Sequence, residues 1–283
     1  MGNDEIIFKE KNGLKYMQFK KLLDLGINHL YTLKSDGIDF ATGGTLEEKS
    51  YKLVAEILGI SREKVIIPKQ THTDCVKCVD ERVISDDLKF TDGLITDKKG
   101  LALTTKNADC ILLNFYDPVK KVIANIHSGW RGTYKKIAEK TVVKMINNYG
   151  CKPENIYCFI NPSIRADHFE VDEDVMELGK EIFKFTNRTD EFIKIGRIFE
   201  GKQKYNIDTV LINRILLESL GLKSEKIIDC EICSVCNKDK IASCRRRWAR
   251  IFKSNFNYDY VKNKINEKFI FHLFYFLNFL CLI

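Results

Sequence analysis

One stretch restricts the fold more than any other, Asp109 to Gly132. It holds two apolar runs, Ile111-Leu112-Leu113-Asn114-Phe115-Tyr116 and Lys121-Val122-Ile123-Ala124-Asn125-Ile126, with a turn signal between them at Asp117-Pro118. Short apolar runs bounded by turn residues read as buried strands. Two strands joined by a tight turn bring the start of the first back to the end of the second. That places Cys110 beside His127, although the two lie far apart in sequence. A thiol and an imidazole held together can serve as nucleophile and base, or as two ligands of a metal ion.

The rest of the chain reads as further strands with interspersed helices. Glu5–Phe8 and Lys15–Phe19 are expected as opening strands. A glycine-containing loop at residues 36–44 leads into a helix over Leu46–Leu58. Lys64–Pro68, Cys75–Val79, Leu94–Thr96, Leu101–Thr105 and Ile156–Ile160 continue the strands. Helices are expected at Thr133–Asn148, Asp172–Phe185 and Asp208–Leu220. In the last, Val210, Leu211, Ile215, Leu216 and Leu220 share a face. Strands come early and few strand–helix–strand units are regular, which favours a layered α+β domain over a doubly wound parallel sheet. No repeat and no linker rich in Pro, Gly or Ser divides the chain.

At 283 residues, 45% hydrophobic and 30% charged, this is the composition of a soluble globular protein with a substantial core. A net charge of +7 suits an anionic small substrate. Because the lysines are scattered, a nucleic-acid partner is not expected. The acidic start, Met1 to Glu5, carries no secretory signal, and Ile6 stands where a myristoylation site needs Ser or Thr. We therefore expect a cytoplasmic protein whose ten cysteines are mostly reduced.

The C-terminal tail departs from this pattern. Asn255–Asn266 is rich in Asn, Lys and Tyr, and Phe269–Ile283 is almost wholly apolar yet short of the ~20 residues of a membrane span. A domain over 1–250 is expected, followed by an aberrant, disordered tail over 251–283 that reads as the product of a frameshift. With AT-rich codons, Arg247 to Val261 read from the second base of the Arg247 codon gives Asp-Gly-Gln-Glu-Tyr-Ser-Ser-Leu-Ile-Leu-Ile-Met-Thr-Met and a stop. That would be an ordinary terminal strand.

His72 follows a predicted strand, Cys110 starts one and His127 ends one. At strand ends the three can converge, and two imidazoles with a thiolate form a zinc set that leaves a fourth position open. Such a site brings the pKa of bound water towards about 7. His127-Ser128-Gly129-Trp130-Arg131-Gly132-Thr133 stands before a helix, where free N–H groups and the Arg131 fork can face an anion. Asp109 could orient a ligand or carry a proton, and His168 shares a loop with Asp167 and Glu170. Cys230, Cys233 and Cys236, with Cys244 beyond, have part of an iron–sulfur spacing but lack its fourth ligand and following Pro. Cys75 and Cys78 make a second C-x-x-C pair on a predicted strand, outside the strand-to-helix setting of a redox motif.

Six pieces in order resemble the laccase-domain family, whose members have been described as multicopper polyphenol oxidoreductases and as purine nucleoside phosphorylases. They are Gln70-Thr71-His72, Asp92-Gly93-Leu94-Ile95-Thr96, Ala108-Asp109-Cys110, His127 to Gly132, Asn161-Pro162-Ser163-Ile164 with Phe169-Glu170-Val171, and Ser243-Cys244-Arg245-Arg246. The resemblance implies a layered α/β/β/α fold with mixed sheets and one zinc per chain on His72, Cys110 and His127, copper being the lesser expectation. It implies phosphorolysis of adenosine, inosine, guanosine and S-methyl-5′-thioadenosine, and deamination of adenosine. Catalysis would fall to Cys110, Asp109 and His127. Gln70, Arg131, Arg245, Arg246 and His168 would hold nucleoside and phosphate, and a monomer is expected. Two departures stand out. The family's Arg in the glycine loop is absent from Ala41-Thr42-Gly43-Gly44, and its Arg-Arg-Asp-Gly segment breaks after Arg246; the alternate frame restores Asp-Gly. A copper-dependent polyphenol oxidase and a hydrolase with Cys110 as nucleophile and His127 as base are the competing readings.

Overall fold

The computed structural model describes residues 5–41, 43–83, 85–246 and 277–282. Two six-stranded sheets carry the architecture. The first runs, edge to edge, β1 (Ile6–Lys11), β2 (Leu14–Phe19), β3 (Asn28–Thr32), β15 (Leu277–Leu282), β7 (Ala102–Asn107) and β4 (Val65–Ile66). The second runs β14 (Ile227–Asp229), β10 (Tyr157–Ile160), β8 (Ile111–Asp117), β9 (Val122–Ser128), β6 (Gly93–Thr96) and β5 (Val76–Cys78). Each mixes parallel and antiparallel neighbours: β4 runs parallel to β7, and β5 parallel to β6.

The layering follows from strand alternation. On β8 and β9, Leu112, Tyr116 and Ile123 turn towards Met17, Phe19, Tyr31 and Leu103 of the first sheet and fill the space between the sheets. Their sequence neighbours Ile111, Leu113, Phe115, Val122, Ala124 and Ile126 face the other way. They pack on Ile137, Val142 and Met145 of helix Ile137–Tyr149 and on Val210 and Leu217 of helix Thr209–Ser219. Both faces are therefore covered, which is why these strands are apolar at nearly every position. The outer face of the first sheet packs Leu14, Leu30 and Ala102 against Tyr51, Val54 and Leu58 of helix Glu47–Leu58. The order is helix, sheet, sheet, helix, as expected. A third, smaller sheet, β11 (Glu170–Val171), β13 (Lys202–Ile207) and β12 (Ile193–Phe199), adjoins a separate cluster built on Tyr134, Met176, Phe183 and Phe192.

Two local outcomes differ from expectation. The helix expected at Thr133–Asn148 is two helices, Trp130–Tyr134 and Ile137–Tyr149, because Lys136 takes a left-handed φ of 59° between them. β15 lies within the stretch set apart as a tail, and its backbone pairs with β3 on one side and β7 on the other. Residues 247–261, on which the frameshift reading turns, lie outside the described residues. Among the described residues no helix is long and apolar enough to cross a membrane.

Candidate metal centre

The β8–β9 hairpin positions the first two groups. Its register pairs Leu112 with His127 and Ile111 with Ser128, so Cys110 lies opposite Gly129, just past the last pair. The connecting turn is fixed by Asp117, whose Oδ1 accepts the N–H groups of Val119 (2.8 Å) and Lys120 (3.0 Å). His127 follows Ile123 and Asn125 on the face that looks between the sheets. The third group, His72, comes from the loop between β4 and β5 and has a left-handed φ of 61°. His72 Nε2 lies 3.9 Å from Cys110 Sγ, and the ligand atoms of His72, Cys110 and His127 all lie within 4.8 Å of one another. The His72 and His127 rings meet edge to face, 4.8 Å between centroids.

Asp92 organises the centre, a role the sequence reading did not assign. It is fully buried beside the start of β6. One oxygen accepts Nδ1–H of His127 (2.8 Å) and the N–H of His72 (3.0 Å). The other accepts the N–H groups of Thr71 (3.1 Å) and Thr73 (2.8 Å) and the Thr73 hydroxyl (2.7 Å). One carboxylate thus sets the His127 tautomer, leaves Nε2 for a ligand, and holds the His72 loop in place. Outer carboxylates of this kind are the usual partners of metal-ligating imidazoles. Burial pushes the Asp92 carboxyl up, but the His127 and Thr73 bonds outweigh it and hold it at about 2.

The electrostatics match a cation site. Burial pushes the Cys110 thiol up, while His127 and His72 draw it down further, to about 6. Burial pushes His127 down, while Cys110 and Asp92 draw it up to about 10. Both shifts describe one thiolate–imidazolium pair, and a divalent cation would take the place of the imidazolium proton. Space is also reserved. A Cβ on Gly129 would lie 3.1 Å from Cys110 Sγ, 3.1 Å from His72 Cδ2 and 3.4 Å from His127 Cε1. A soft thiolate with two imidazoles is a donor set suited to zinc, so the residues fit the expected ion.

The other expected site residues divide. Asp109 sits beside Cys110 with a φ of 97°, and its carboxylate accepts from Ser234 Oγ (2.6 Å) and the Arg245 N–H (2.7 Å). Arg245 also donates to the Glu170 carbonyl (2.9 Å), and the Arg246 guanidinium is bound to the carbonyls of Val235 and Ile241. Gln70 is buried and braces Lys106, accepting its N–H (2.7 Å) and donating to its carbonyl (2.9 Å). Arg131 is exposed on helix Trp130–Tyr134 and stacks 4.3 Å over the Trp130 ring. His168 lies apart from these, against Cys233 (3.7 Å) and Cys236 (3.9 Å).

Ordered motifs around one three-residue centre invite comparison with known proteins. The family model described as multi-copper polyphenol oxidoreductase laccase matches residues 46–251. The chain belongs to this family. It is 28% identical over 253 residues to purine nucleoside phosphorylase YlmD of Bacillus subtilis, covering 86% of this chain and 84% of that one. It is 31% identical over 196 residues to adenosine deaminase RL5 from an unknown prokaryotic organism, covering 67% and 72%. The fold is shared with hypothetical protein YfiH of Bacillus licheniformis, with a TM-score of 0.77 at 24% identity over 98% of this chain and 99% of that one. It is shared also with YlmD of Geobacillus stearothermophilus, with a TM-score of 0.74 at 20% identity over 98% of each.

Proposed function

We propose that the chain is a zinc-dependent purine nucleoside enzyme. Its reactions are phosphorolysis of adenosine, inosine, guanosine and S-methyl-5′-thioadenosine, and deamination of adenosine. The observation that carries this is the convergence of His72, Cys110 and His127 within 4.8 Å under one buried carboxylate. The relatives named as a purine nucleoside phosphorylase and an adenosine deaminase support the choice of substrate. When bound, zinc supplies Lewis acidity and brings water towards ionisation at neutral pH.

The chain's own residues do the rest. Asp92 holds His127 in the Nδ1–H tautomer, so that Nε2 faces inward. Asp109, in a strained backbone, aims Cys110 and anchors the loop that bears Arg245. To move a proton in deamination it would first release Ser234. In phosphorolysis, phosphate oxygen bonds to the ribose C1′ as the C1′–N9 bond breaks, and the departing base takes a proton. Arg131, exposed two residues after Gly129, offers a guanidinium that can face phosphate; the guanidinium groups of Arg245 and Arg246 are taken up by backbone carbonyls.

The arrangement argues against a multicopper oxidase. His29 is buried in the first sheet, accepting the Phe19 N–H (2.8 Å) and donating to the Ile27 carbonyl (3.1 Å), and His168 lies with other partners. Among the described residues only two histidines therefore meet at the centre. The test is metal analysis of the purified protein, then incubation with adenosine and phosphate read by chromatography. Adenine with ribose 1-phosphate marks phosphorolysis, and inosine marks deamination. His127→Ala should lose both zinc and turnover. Full turnover in a zinc-free preparation would favour Cys110 as a nucleophile and overturn the proposal.

A further inference from the structure

A second group of ligand-type side chains lies outside this centre. His168, Cys233 and Cys236 bring their ligand atoms within 4.8 Å of one another. Cys233 Sγ is 3.7 Å from His168 Nδ1, and Cys236 Sγ is 4.0 Å from that same nitrogen. A tetrahedral zinc with bonds of about 2.3 Å to sulfur and about 2.05 Å to nitrogen holds the two ligand atoms about 3.6 Å apart. His168 Nδ1 lies within about 0.4 Å of that spacing from both sulfurs, and Cys236 Sγ is 3.9 Å from Nε2 of the same ring.

The frame around the three is built independently on each side. The Cys233–Cys236 turn is closed by Asn237, whose N–H (3.1 Å) and side-chain amide (2.8 Å) both donate to the Cys233 carbonyl. Its start is tied to the strand β10 extension, with Ser163 N–H donating to Ile232 O (3.2 Å) and Ser234 N–H to Ser163 O (2.9 Å). His168 ends a short turn, Ala166–His168, held by Asn206 on the Ala166 carbonyl (2.7 Å). The residue before that turn, Arg165, forms a bidentate pair with Asp229 at 2.6 and 2.7 Å. C-x-x-C on one tight turn with a His from a second segment is a zinc-binding arrangement. Cys230 is not part of it: Arg165 Nη2 lies 3.8 Å from its sulfur. An iron–sulfur set on Cys230, Cys233 and Cys236 is thus replaced by one that recruits His168.

We propose that His168, Cys233 and Cys236 form a second, structural zinc site with a water-filled fourth position on the exposed Cys236 side. This reassigns His168 from substrate contact to metal ligand. The ion clips residues 230–237 to the 163–168 segment. Because Ser234, inside the C-x-x-C, donates to Asp109, the clip also holds the residue before Cys110. The proposal does not depend on what the first centre catalyses.

The test is zinc content per chain after purification with zinc present and dialysis against metal-free buffer. The wild type should hold two ions. Cys236→Ser, at an exposed position, and His168→Ala, which leaves both thiols intact, should each hold one and retain the ion lost in His127→Ala. As a second measurement, Cys236 should react with a thiol reagent at least tenfold faster after chelation than before. One ion in the wild type, unchanged by Cys236→Ser and His168→Ala, overturns the site. So does a Cys233–Cys236 disulfide in the purified chain with no second zinc. Loss of one ion in Cys236→Ser but none in His127→Ala upholds this site and removes the first.

Discussion

Gly129 matters for its missing side chain, not for its backbone freedom. It sits in an ordinary extended conformation, φ −62°, as the cap of helix Trp130–Tyr134, yet a Cβ there would press on the side chains of Cys110, His72 and His127. Gly129→Ala should lower zinc affinity by about tenfold or more, within the range seen when groups around a metal site are disturbed. Competition with a chromophoric chelator would measure this, and global stability should change little. Asp109 poses a different question, because it combines strain with two hydrogen bonds. A left-handed φ in a non-glycine residue costs about 1–3 kcal/mol. Asp109→Gly and Asp109→Ala both remove the carboxylate, but only glycine relieves the strain. Chemical denaturation should show the glycine variant more stable than the alanine variant by about 1 kcal/mol or more.

At the scale of elements, the break between helices Trp130–Tyr134 and Ile137–Tyr149 rests on the left-handed Lys136. Lys136→Gly should stabilise the fold by about 1 kcal/mol, since glycine adopts that conformation without a Cβ clash; an unchanged or lower denaturation midpoint would contradict this. The elements most legible in the sequence were those buried on both faces. β8 and β9 stood out because nearly every residue is apolar, and Cys110 and His127 stood out because one precedes and the other closes such a run, whereas His72 lies in the loop after β4. The β12–β13 hairpin was missed for the opposite reason. Its apolar residues Ile195, Ile198 and Phe199 are exposed and stand among Lys and Arg, and its turn at Glu200-Gly201 uses two positive φ angles without the Asn-Gly or Asp-Gly signature. β3 was missed because Asn28 and His29 interrupt its apolar pattern. Asp92 carries no local signal, since a carboxylate that serves three residues of the 71–73 loop and His127 on β9 leaves no local periodicity. His168 and Cys233 lie 65 residues apart, and nothing in either neighbourhood signals the other.

For the whole molecule, the first sheet carries an acid-sensitive group. Burial pushes His29 down to about 4, outweighing its bond to the Ile27 carbonyl. The unfolded chain would protonate it near 6.5. The folded state therefore binds fewer protons between those values. Its contribution is intact above about pH 6.5 and declines as pH falls towards about 4, by up to about 3 kcal/mol. Thermal melts of the wild type and His29→Gln at pH 7.5 and 5 would show it, the variant losing less on acidification. The same sheet has an order of assembly written into it. β7 ends at Asn107 and its partner β15 begins at Leu277, about 170 residues later. At about 5–20 residues per second, the nascent chain emerges from the ribosome with β3 and β7 unpaired along one edge each for roughly 10–30 s. Completion of the sheet is thus a late event in synthesis, and during that interval the open edges are the surfaces on which chaperones or neighbouring nascent chains can act.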